Sequence, residues 1–88
     1  MRWENEARLL LKAEIVRRGF TYERLAKAFE EIGGSETSRS IANKISRGSF
    51  SFAFFLQCLR ALGVETVILP IPKASTQVNS TNLDTKTP

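Results

Sequence analysis

Ser38-Arg39-Ser40-Ile41-Ala42-Asn43-Lys44-Ile45-Ser46-Arg47-Gly48 is the stretch on which the reading of this 88-residue chain turns. Ile41 and Ile45, four positions apart, give a helix one buried direction, with Ser38 and Ala42 beside them. At about 100° per residue, the opposite side collects Glu36, Arg39, Ser40, Asn43 and Arg47, with Lys44 on its flank. The sequence predicts a helix over 36–46. Ser35 would cap it, Glu36 would sit in its first turn where a negative charge is favourable, and Arg47-Gly48 would close it.

Outward from this helix, the same signals recur. Upstream, Thr21 reads as the N-cap of a helix from Tyr22 to about Ile32, with Leu25, Ala26, Phe29 and Ile32 on one face and Gly33-Gly34 as its stop. Before that, Trp3, Ala7, Leu10, Leu11 and Ile15 keep the three-and-four spacing of a buried stripe over 3–18. Gly19 ends this helix, Arg17 and Arg18 face the negative end of its dipole, and Phe20 is placed to fold back on it. Trp3 reads as a lid on the core, with contact to a partner as the alternative. Downstream, Ser49 or Ser51 caps a fourth helix whose apolar positions Phe52, Phe55, Leu56, Leu59 and Leu62 lead to Gly63.

After Gly63 the period changes. Val64-Glu65-Thr66-Val67-Ile68-Leu69-Pro70-Ile71-Pro72 is rich in β-branched residues, so 64–71 reads as a strand. Pro70 and Pro72 donate no ladder hydrogen bonds, and the chain offers no second strand, which makes a second copy the cheapest partner. The expected dimer interface is Val64, Val67, Ile68, Leu69 and Ile71, with Phe54. That ring lies about 100° from Phe55, on a face left for the strand or a partner to cover. The fold class is thus all-α: four helices and one C-terminal β-strand pairing across a dimer. Residues 1–72 form one domain, and 73–88, almost entirely Ser, Thr, Asn and other polar types, read as a disordered tail.

Composition narrows the function. There is no histidine, and the single cysteine, Cys58, excludes an internal disulfide and a cysteine-cluster zinc site. With no nucleophile–base pair and no phosphate-cradling glycine loop, the chain reads as a binding protein and not an enzyme, with no metal, cofactor or small-molecule ligand. Its longest apolar run is far short of a membrane span, and its N-terminus is too acidic for a secretory signal, which predicts a cytoplasmic protein. Thirteen basic residues against nine acidic give +4. No acid falls between Thr37 and Val64, where Arg39, Lys44, Arg47 and Arg60 lie, a distribution suited to a polyanion. Cys58, between Phe55 and Leu62, reads as a small core residue. Asn79-Ser80-Thr81 has glycosylation spacing, an accidental match in a chain without a signal peptide.

Four short-linked helices point to a helix-turn-helix. Leu25-Ala26, the run Ser38 to Gly48, and Leu59-Arg60-Ala61-Leu62-Gly63-Val64 together resemble the Cro/C1 repressor-like (Xre-type) DNA-binding family, over roughly residues 11–64. The resemblance implies a λ-repressor-like fold and base reading by Arg39, Ser40 and Lys44. Thr21 and Tyr22 fall where that family clasps a phosphate. The Leu25-to-Gly48 interval runs about six residues longer than in compact members, around Phe29 to Glu36, so either the second helix or the turn is longer.

The solvent face of the third helix suits the same role on its own chemistry. Arg grips the two guanine acceptors, Asn pairs with adenine and Ser adapts to either, so Arg39, Ser40, Asn43, Lys44 and Arg47 are candidate readers of a major groove. The reading is a sequence-specific transcriptional regulator of double-stranded DNA, by default a repressor located with the nucleoid. As a homodimer it would reach successive grooves about 34 Å apart. The alternative is an antitoxin-like or anti-activator module that docks a protein partner through apolar surface on the fourth helix and the strand.

Overall fold

All but the first of the four helices begin at a residue whose side chain accepts from a loose backbone amide. A computed structural model of the chain describes residues 2–73. The helices are α1 (Trp3–Arg17), α2 (Tyr22–Glu31), α3 (Ser38–Arg47) and α4 (Phe52–Leu62). Thr21 caps α2 by accepting from the Arg24 amide, and Ser51 caps α4 by accepting from Phe54. At the end of α1, the Phe20 amide donates to the Ile15 carbonyl at 3.0 Å and brings its ring back onto the core. The α2 terminus is built the same way, with Gly33 donating to Glu30 and Gly34 to Phe29, the paired bonds of a Schellman motif.

Helix α2 is ten residues long and stops at Glu31, so residues 32–37 form the turn that leads to the next helix. The close approach of Gly34 to Phe29 tightens the start of this turn: a Cβ there would lie 2.9 Å from the Phe29 ring.

The core joins Leu11 and Ile15 of α1, Leu25 and Phe29 of α2, Ile41 and Ile45 of α3, and Phe54, Phe55, Cys58, Leu59 and Leu62 of α4. Helix α3 packs on both α1 and α2, and α2 also carries α4. The α3 helix is therefore wedged from behind by two supports.

Three expectations need correction. Trp3 is not a lid: it is 57% exposed, because α1 turns Leu11, Glu14 and Ile15 inward. Phe54 does not await a partner; it is buried and stacks on Phe29 at 5.9 Å, with Phe50 at 5.7 Å. Phe52 and Leu56, expected inside, are 65% and 50% exposed. Helix α4 is apolar almost all round, so the stripe 54, 55, 58, 59, 62 fits helical spacing as well as the expected one, and the Phe29 ring decides between them.

A further correction concerns the segment after Gly63. Among the described residues there is no strand. Among the described residues no second extended segment is available to form a ladder with, and residues 66–72 instead run alongside α1 as one wall of a groove. The tail expected to be disordered lies, from residue 74 on, outside the described residues, as does Asn79-Ser80-Thr81.

Candidate nucleic-acid interface

Helix α3 starts two residues later than the sequence predicts. Its N-cap is Thr37, not Ser35, because Thr37 and Ser40 form a reciprocal box. The Ser40 amide donates to Thr37 Oγ1 and the Thr37 amide to Ser40 Oγ, both at 3.0 Å. Glu36 thus lies before the helix and not in its first turn. At the other end, Gly48 takes a left-handed φ of 70° against the backbone of Glu4, where a Cβ would come within 2.0 Å of the Glu4 carbonyl oxygen. The box fixes one end of α3 and this contact seats the other.

With Ile41 and Ile45 fully buried, the outer face presents Arg39, Asn43 and Arg47 to solvent. Ser46 belongs to the same face and was missed. Its spacing signals it, seven residues from Arg39 and hence nearly two full turns on. Its hydroxyl donates back to the Asn43 carbonyl at 3.0 Å. Arg39 and Arg47 take part in no ion pair among the described residues.

Ser40 and Lys44 are different. The Ser40 hydroxyl donates to Glu36 Oε1 at 2.6 Å, and Lys44 Nζ donates to Glu36 Oε2 at 2.7 Å while lying 5.0 Å from the centre of the Phe54 ring. Both are half-buried and committed to the turn. Burial of Glu36 disfavours its charge, but the hydrogen bonds from Lys44 and Ser40, with the Lys44 charge, outweigh this and hold its carboxyl below the ordinary value of 4.5. Cys58 is fully buried behind this cluster. Burial, with the Glu36 charge adding and Lys44 opposing, pushes its thiol up to about 12, which leaves it protonated and unreactive as a core residue.

The remaining candidates divide. Thr21 is exposed but spends its hydroxyl on the α2 cap, and Tyr22 is half-buried against the core. Arg24, overlooked in the sequence, stands at the same helix end with its guanidinium 4.3 Å above the Phe20 ring. Of the expected dimer residues, Val64 and Val67 pack against the core, whereas Ile68, Leu69 and Ile71 are exposed. Phe54, as described, is internal.

Among the described residues no three Cys, Asp or Glu side chains come together to hold a metal ion, and no helix is long and apolar enough to cross a membrane. The model of a family described as a domain of unknown function (DUF6471) matches residues 3–67, a span that includes all four helices. The chain belongs to that family. No curated protein and no solved structure matches it. In DUF6471 terms, the whole α3 face and its supports lie within the matched span, which ends beside the groove on α1.

Proposed function

We propose that the chain is a sequence-specific, double-stranded DNA-binding transcriptional regulator, acting from the cytoplasm as a homodimer with α3 in the major groove. One observation carries this reading: Arg39, Asn43 and Arg47 share the outer face of a helix whose other side is wedged on α1 and α2. These side chains offer bidentate donors for guanine and a donor–acceptor pair for adenine, on a helix narrow enough for a groove about 12 Å wide. The resemblance to Cro/C1 domains supports the same use of the helix, with a longer turn than compact members have. Repression is the default mode of this reading.

The experiment is enrichment of random duplexes on the purified protein, followed by gel shifts at fixed salt. Arg39→Ala is expected to lose about 1–3 kcal/mol on the preferred site and to relax it at one position. If Arg39→Ala with Asn43→Ala leaves site-specific binding intact, α3 is not the reader.

A second reading has an observation of its own. Phe52 and Leu56 on α4, with Ile68 and Ile71 beyond it, expose apolar surface that a protein partner would cover. Binding through that surface would be insensitive to salt, whereas duplex binding falls steeply as salt rises.

A further inference from the structure

An open groove of about 800 Å³ separates α1 from the segment 66–72. Trp3, Leu10 and Ala13 line one side, and the segment lines the other without filling it. Ile68, Leu69 and Ile71 remain 90%, 42% and 68% exposed, and no backbone–backbone hydrogen bond among the described residues is made from residues 65–72. One chain therefore carries an apolar groove and an apolar segment that does not satisfy it.

We propose that the groove receives the 66–72 segment of a second copy, each copy's segment lying on the other's α1. Charge sets the direction. The segment is uncharged between Glu65 and Lys73, and the groove carries Glu6 near the start of α1 and, toward its end, Glu14 with Arg17 and Arg18, a net positive cluster. These match when the incoming segment runs antiparallel to α1, with Glu65 at the arginines and Lys73 at Glu6. Arg17 and Arg18 hold Glu14, yet their side chains stay 67% and 41% exposed. The segment spans about 25 Å and the α1 charges about 17 Å, a difference that extended Arg and Lys side chains bridge. Area agrees as well. A standard interface takes roughly 800 Å² from each partner. Trp3, Leu9, Ile68, Leu69 and Ile71 each leave 42% or more of their surface open, and they supply a large share of it.

The test is the solution mass of the full chain by light scattering without DNA, so it fails or succeeds independently of the duplex reading. Twice the chain mass is expected. Ile68→Asp with Ile71→Asp spoils the segment and Ala13→Glu spoils the groove; each variant alone is expected to be monomeric, with unchanged circular dichroism. Mixed at several hundred micromolar, the two are expected to associate, because one brings an intact groove and the other an intact segment. Lys73→Glu is expected to weaken the dimer about tenfold and Glu6→Lys in the same chain to restore it. A monomeric wild-type chain overturns the proposal, and so does capture of another protein by a chain that stays monomeric. A dimer whose two variants do not complement overturns it in favour of a ladder between the two segments.

Discussion

Gly48 and Gly63 both close helices with a left-handed φ, 70° and 79°, yet they differ in what surrounds them. Around Gly63 a Cβ would meet nothing within 4 Å, so Gly63→Ala is expected to cost only the strain of that conformation, about 1–2 kcal/mol. At Gly48 the same methyl would lie 2.0 Å from the Glu4 carbonyl oxygen, and the start of α1 must move. Chemical denaturation of the two variants is expected to show Gly48→Ala as the larger loss, and equal losses would remove the α1–α3 seat from the argument. Glu36 makes a second prediction at this scale. Its folded carboxyl titrates below 4.5, so its contribution to stability is complete above that value and is lost as pH falls through the lower, folded value. Thermal unfolding should therefore separate the wild type from Glu36→Gln at pH 7, and the gap should shrink as pH falls below 4.5. A gap that does not change on acidification would mean that the charge of Glu36 is not what stabilises the turn.

Among the elements, α2 was fully legible and α4 was not. Thr21, the face of Leu25 and Phe29, and the glycine pair after Ile32 each point to one helix, and the structure forms it within a residue. In α4, the nine positions from Phe52 to Leu62 other than Gln57 and Arg60 offer little polar contrast, so spacing alone does not say which side turns in. That choice is made by a ring on another helix. Phe54→Ala is accordingly expected to cost about 3–5 kcal/mol, the usual penalty for an emptied aromatic site, while Phe52→Ser changes stability by less than about 1 kcal/mol. The reverse order in urea midpoints would put the expected stripe back inside. The start of α3 was misplaced for a related reason. Ser35 and Thr37 are both good caps, and only Ser40, three residues after Thr37, reciprocates. Thr37→Ala is expected to lose about 1 kcal/mol and Ser35→Ala almost nothing. The candidate site was legible as a face but not as a set of free side chains, because the Glu36 contact that takes Lys44 and Ser40 out of it depends on where the turn folds back.

For the whole molecule, the net charge of +4 matters less than how folding distributes it. Glu14 is held by Arg17 and Arg18, and Glu36 by Lys44, so these pairs are neutralised within the chain. Arg39 and Arg47 are left on the outer face of α3 with no carboxylate partner among the described residues. If that face meets a duplex, each phosphate it neutralises contributes about 0.9 to the slope of log K against log salt. Arg47, at the end of α3, is a free cation on that face, and Arg47→Ala should flatten the slope by about 1 per copy. Lys44→Ala should leave the slope nearly unchanged, because its ammonium already faces Glu36. Glu36→Gln releases that ammonium and is expected to steepen the slope and strengthen non-specific binding. Titrations of the three variants from 50 to 200 mM salt decide the matter: a Lys44→Ala slope flatter than that of Arg47→Ala would mean that the duplex approaches from the turn and not from the outer face of α3.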